Sequence, residues 1–284
     1  MRKYFDKFLA EYASIDDTIR LIIADVGEFP EFKKSHPKKL INVGVAEINA
    51  IGIASGLAAE GYNVYVYGVS SFFLYRCHEI LRHNCLINKI PIKFIGVGFG
   101  WKYYGIGAGH FCPDDIGICL SLGMNIAIPS KISELMDLIH SKKKEPVYIR
   151  LTADIRKESV DFLNVENASY VIVSYGEMAN ISIALYKKII QTNQNIGYLI
   201  INRINEKTVL ELQKKLEGKK ILVIEDQLAM NGITGIVSRT KLNVVYSKTL
   251  PIETTKVSSS KENLLKFYGY DLEIIYDEVK KVII

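Results

Sequence analysis

The chain has 284 residues, a mass of 32.1 kDa and a net charge of +5, and it is 49% hydrophobic and 24% charged. That length accommodates two domains of ordinary size, and that composition belongs to a packed globular protein, not a disordered one. No apolar run reaches the roughly 18 uncharged residues of a membrane-spanning helix, and the lysines are scattered through segments such as KKSHPKK, SKKKEP and KKLEGKK, the pattern of solvated loops and helix ends rather than a nucleic-acid-binding face.

The first thirteen residues, MRKYFDKFLAEYA, have the spacing of an amphipathic helix and carry acids, which distinguishes them from a signal peptide. Short, β-branched runs apolar on both faces then occur at 19–26, 63–69, 92–100, 124–130 and 147–152. Such runs are the mark of buried parallel strands. Helical patterns at 47–60, 73–87, 114–122 and 131–143 alternate with them, so helices are expected on both faces of a mostly parallel sheet. The polar stretch 153–168 separates this domain, 1–155, from a second and smaller α/β domain, 165–284. The second domain opens with YVIVSYG, continues through NIGYLIINRI, KKILVIEDQ and NVVYSKTL, and closes on helices around 261–268 and 272–281. Cys77, Cys85, Cys112 and Cys119 have no CxxC spacing, and reduced thiols in a cytoplasmic protein are expected.

Glu47 is the residue that asks for an explanation. It is the one acid in INVGVAEINAIGIASGLAA. As a first-turn acid it suits a helix dipole in solvent; among apolar neighbours it is a buried carboxylate that needs a hydrogen-bonding partner. Asp25 falls at the carboxyl end of the first strand, where open α/β sheets bind ligands and where caps also form. His110 follows three glycines in GIGAGH.

The order VGVAE, FFLYR and GH…PDDIG resembles the pyrimidine-binding domain of transketolase-family enzymes, which depend on thiamine diphosphate. The segments VIVSYGEMANISIALYKKI and KKILVIEDQLAMNGITGIVSR look like the C-terminal domain of the same family, so the resemblance covers nearly the whole chain. It implies that Glu47 bonds ring nitrogen N1′ of the cofactor's aminopyrimidine, favouring the tautomer that removes the proton from C2 of the thiazolium. It implies that Phe73, with Phe72 as the neighbouring alternative, stacks on that ring, and that Arg76 and Asp25 line the same pocket. By the same resemblance His110 is the acid, base or hydroxyl ligand for the substrate, and Asp114 and Asp115 sit at a helix start, where capping is their expected task.

The family's GDG motif, which holds Mg²⁺ and the diphosphate, does not occur in this sequence. No metal ligand set is expected here. The chain is expected to be the C-terminal subunit of a split transketolase, with a GDG-bearing N-terminal subunit as partner in an α₂β₂ heterotetramer and sugar-type substrates. In the substrate pocket Ile106, Ala153 and Phe29 stand where the family has polar or charged groups. Arg2 remains at a phosphate position, and Arg156 is close enough in sequence to shift in. The aromatic loop FGWKYYG offers Trp101, Tyr103 and Tyr104 as a stacking surface. A substrate other than an ordinary sugar phosphate follows as the expectation. Two further readings are the β subunit of a 2-oxoacid dehydrogenase, which needs a lipoyl-domain partner, and a non-catalytic scaffold of the same fold. A neighbouring gene for a GDG-bearing protein separates these readings.

Overall fold

The computed structural model describes residues 1–103, 106–142, 144–251 and 265–283. The chain divides into two compact units, one of residues 1–99 with 118–155 and the other of residues 100–117 with 156–284. In chain order the elements of the first part are α1 (Arg2–Ala13), β1 (Ile19–Ile23), α2 (Pro30–Ser35), β2 (Leu40–Asn42), α3 (Glu47–Ala59), β3 (Asn63–Val69), β4 (Ile92–Val97), α4 (Asp115–Ser121), β5 (Asn125–Ala127), α5 (Ile132–His140) and β6 (Val147–Arg150).

The strands of the first unit are all parallel and lie in the order β2-β1-β3-β4-β6-β5. β3 and β4 are apolar on both faces because both faces are covered, as parallel sheets require. The amphipathic reading of the N-terminus gives α1, whose Phe5, Leu9 and Ala13 form one buried stripe. Phe5 packs against Phe29, Tyr65 and Tyr67. Asp6, on the same helix, is buried and accepts from the backbone N–H of Glu31 and Phe32, both at 3.0 Å, so that α1 caps α2.

Two short elements, α2 and β2, have too few residues to show a period in the sequence. The predicted helix over 73–87 is helical but irregular. Phe72–Arg76 and Leu81–Leu86 are π-helical turns flanking a single α-turn, His78–Ile80. Such widened turns cluster at functional sites.

The second unit contains β7 (Phe162–Leu163), β8 (Tyr170–Tyr175), α6 (Met178–Ile189), β9 (Ile196–Ile201), α7 (Glu206–Leu216), β10 (Lys220–Leu228), α8 (Ile233–Ser238), β11 (Asn243–Leu250) and α9 (Leu272–Lys280). Its sheet runs β11-β10-β8-β9-β7, parallel except for the β7–β9 pair. β7 lies inside the stretch expected to be only a linker; two residues are too short for strand periodicity. Residues 261–264 of the helix expected around 261–268 lie outside the described residues, and 265–267 are helical. Asn205 and Asp271 cap α7 and α9 through bonds from backbone N–H groups of their first turns.

Glu225 is fully buried near the end of β10. Its Oε2 accepts from Ile233 N–H and from Tyr175 O–H, both at 2.7 Å, and its Oε1 accepts from Thr234 N–H at 2.9 Å. This carboxylate fixes the start of α8. Gly232 leaves the room it needs, since a Cβ there would lie 2.0 Å from Oε2. Glu225→Ala strands two buried N–H groups, those of Ile233 and Thr234, each worth about 1–3 kcal/mol when left unpaired. Denaturant unfolding of this variant is expected to show a loss of roughly 2–6 kcal/mol, and a wild-type midpoint would mean that α8 does not depend on the carboxylate.

Candidate functional site

The first group of site residues follows the carboxyl ends of β2, β1 and β3, three neighbouring strands of the parallel sheet. That edge is where ligands meet open α/β sheets. Asp25 follows β1 in a left-handed backbone conformation, φ +53°, which non-glycine residues adopt only when held there. Asn42, at the end of β2, holds it. Its Oδ1 accepts from Asp25 N–H at 3.1 Å and from Gly44 N–H at 3.0 Å, and its Nδ2 donates to Asp25 Oδ1 at 3.5 Å. One amide therefore pins both Asp25 and the turn that delivers α3. Sequence reasoning missed Asn42; its visible signal was a lone amide at a strand end just before a glycine.

Glu47 is the first residue of α3 and is only 3% exposed. Of the two sequence readings, burial is the one that holds. Its partner in this chain is Arg76, which donates from Nη1 to Oε2 at 2.5 Å. The Arg76 guanidinium also lies over the Phe72 ring, 5.2 Å from its centroid. About half of the Arg76 side chain is exposed, so the pair is buried on the acid side and wet on the base side. Among the described residues no second hydrogen-bond donor reaches the carboxylate. The arrangement keeps Glu47 oriented and leaves one oxygen for another partner.

The two phenylalanines separate. Phe73 is buried on Gly68, so closely that a Cβ there would lie 1.6 Å from its ring. Phe72 is only partly buried and is the ring beside Arg76. Phe73, the ring expected to stack, is thus buried against Gly68, and Phe72 is the more exposed of the two. The nearby thiols are inert. Burial and the Glu47 charge push Cys77 up to about 12, and burial pushes Cys85 up to about 12.

A groove of about 1520 Å³ in the first unit lies between α1 and α2 and includes Arg2, Lys7, Asp25, Glu28, Glu31 and Lys34. It contains neither Glu47 nor Phe72, and its mixed charges define no single ligand. Phe29 is 3% exposed and packs edge-on against Tyr67 at 4.8 Å. It packs in the core rather than lining an open pocket, although the sequence reading places it where the family has a polar group.

The second group lies in the second unit. His110 ends a short 3₁₀ turn, Ala108–His110, is partly exposed, and has its ring edge toward Tyr103 with centroids 6.3 Å apart. Trp101 is not a surface ring: it is 1% exposed and packs edge-on against Tyr270 at 4.5 Å, because that aromatic cluster closes the core of this unit. Tyr104 lies outside the described residues. Ile106 is 59% exposed. Arg156 is buried in an ion pair with Asp161 and donates to the Val160 carbonyl at 2.8 Å, so it does not shift toward a ligand. Asp115 is fully buried and accepts from Gln227 Nε2 at 2.7 Å. Among the described residues no three His, Cys, Asp or Glu side chains gather in a way that could hold a metal ion.

Comparison with known proteins identifies the family of the chain. Residues 1–155 match the family described as the transketolase pyrimidine-binding domain. A protein of Methanocaldococcus jannaschii provisionally named as a transketolase C-terminal section is 27% identical, over 99% of this chain and 96% of its own length. A subunit of the apulose-4-phosphate transketolase of Phocaeicola vulgatus is also 27% identical, over 96% of this chain and 94% of its own length. Among solved structures, a split-gene transketolase described as an inactive β₄ tetramer has the same fold, with a TM-score of 0.80 at 21% identity over 99% of this chain and 97% of that one. With a pyrimidine-binding domain matched over more than half its length and relatives of its own size in that family, the chain belongs to the transketolase family.

Proposed function

We propose that this chain is the C-terminal subunit of a split, thiamine-diphosphate-dependent transketolase that moves a two-carbon ketol unit between sugar-type substrates. The observation that carries the proposal is the buried Glu47 carboxylate, held by Arg76 at the carboxyl edge of the sheet with an oxygen to spare. Two relatives of matching length, one named as a C-terminal section and the other as one subunit of a transketolase, support the split arrangement. A GDG-bearing N-terminal subunit supplies the diphosphate and Mg²⁺ site, which needs a near-octahedral set of oxygen ligands, and the assembly works in the cytoplasm as an α₂β₂ heterotetramer.

When bound, thiamine diphosphate supplies the nucleophilic carbon that attacks the donor carbonyl. Glu47 holds a proton at N1′ of the aminopyrimidine. Arg76 fixes the carboxyl group through Oε2, so the other oxygen keeps its direction. Phe72 offers the stacking face, and Asp25 lines the same edge with its backbone set by Asn42. The dry surroundings of Glu47 strengthen its bond and preserve its geometry. His110 moves a proton at a substrate hydroxyl, with Tyr103 beside it. Among the described residues, Arg156 is committed to Asp161, so a sugar phosphate finds no bidentate clamp there. The substrate is therefore a deoxy, branched or nucleotide-linked sugar, or a short 2-oxoacid donor.

Three measurements test this reading. Glu47→Gln should fold normally and slow hydrogen–deuterium exchange at the cofactor's C2 by orders of magnitude in the reconstituted complex; a wild-type rate rejects the assignment. Calorimetric titration of the chain alone with thiamine diphosphate and Mg²⁺ should show weak binding or none, whereas a micromolar dissociation constant reveals a diphosphate site in this chain. In steady state, xylulose 5-phosphate with ribose 5-phosphate should be a poor pair. A kcat/KM on the order of 10⁴ M⁻¹s⁻¹ or more, inside the usual enzyme range, makes the chain half of an ordinary transketolase.

A further inference from the structure

We propose that Gln227 is a positioning residue for His110, acting through a buried clamp with Asp115. The inference rests on the reading of His110 as a proton-transfer group. The described residues among 100–117 form a strap that belongs to the second unit, and His110 lies between its two feet.

The first foot is closed by packing and charge. Trp101 sits against Tyr270, and Lys102 pairs with the buried Glu177. Gly100 lies so close to Asp226 that a Cβ there would be 2.7 Å from the carboxylate. The second foot is closed by hydrogen bonds to the end of β10. Leu228 N–H donates to the Pro113 carbonyl at 2.8 Å. Gln227 uses both ends of its amide: Nε2 donates to Asp115 Oδ1 at 2.7 Å, and Oε1 accepts from Ile116 N–H at 3.3 Å. Gln227 and Asp115 are both fully buried.

A buried amide bridging a carboxylate and a helix-start N–H has one correct orientation and no water to substitute for either partner. The start of α4 is therefore locked to β10. The chain just before it, which carries His110, inherits that position. Gln227 touches no part of the proposed chemistry; it stands next to Asp226 in the EDQ segment of β10.

The clamp predicts a rescue that simple packing does not. Gln227→Glu keeps the acceptor for Ile116 N–H but sets a carboxylate against Asp115, and two buried carboxylates repel. Adding Asp115→Asn returns a donor from the opposite side and restores a single buried charge. The readout in the full chain is alkylation of Cys112, a buried thiol in the strap, followed by peptide mass mapping. A parallel readout is kcat/KM in the complex with the N-terminal subunit.

Gln227→Glu is expected to speed Cys112 alkylation about tenfold or more, the scale of one lost buried charge-assisted bond, and to lower kcat/KM. The double variant is expected to recover both. Gln227→Met, which removes the donor without adding charge, carries the same expectation should the first variant fail to fold. Wild-type Cys112 protection in Gln227→Glu and Gln227→Met, or a double variant no better than the single, overturns the clamp. Strap release with unchanged turnover overturns the positioning role. His110→Ala then separates the causes: full activity places the failure in the His110 reading, and loss of activity places it in the clamp.

Discussion

Burying a carboxylate at the edge of a parallel sheet is the constraint on which the first unit depends. Glu47 loses its water and must be compensated. A helix start contributes a favourable field, and Arg76 contributes a charge-assisted bond. The compensation is incomplete on the acid's other oxygen. Arg76 is half in solvent, so the pair is weaker than a fully dry one. A buried acid of this kind is oriented yet still available, which is what a group that must meet a ligand nitrogen requires.

The neighbouring residues follow from that requirement. β2 is short, but its last residue, Asn42, binds the turn before α3 and the strained Asp25 with one side chain. The π-helical turns after β3 bring Phe72 and Arg76 toward Glu47 while Phe73 packs on Gly68. In the second unit the logic is similar, with buried polar groups holding irregular backbone. Glu225 fixes the start of α8, and Gln227, two residues on, fixes the start of α4 through Asp115. The strand end EDQ is thus a row of buried polar side chains, where a sheet interior would ordinarily be apolar.

Much of the fold was legible because buried parallel strands leave continuous apolar runs, and these gave the strands and their alternation with helices. Glu47 stood out because acids are rare in such runs. What the sequence concealed depends on contacts between distant residues. The strap 100–117 belongs to the second unit although it lies within the first part of the chain. Trp101 looked like a surface for a ligand and is core, because Tyr270 comes from far along the chain to cover it. Phe29 looked like a pocket residue and faces Tyr67. Phe73 lies buried because Gly68 has no side chain to keep its ring out. The roles of Asn42 and Gln227 follow from no periodicity, and only their hydrogen bonds reveal them.

The central claim is that Glu47 meets N1′ of the cofactor. The most direct measurement is the nuclear magnetic resonance of thiamine diphosphate labelled with heavy nitrogen at N1′, bound in the two-subunit complex. The N1′ signal should move from its free position when the wild-type chain is present, and return toward it with Glu47→Ala at equal cofactor occupancy. An N1′ signal identical in the wild-type and Glu47→Ala complexes would contradict the account.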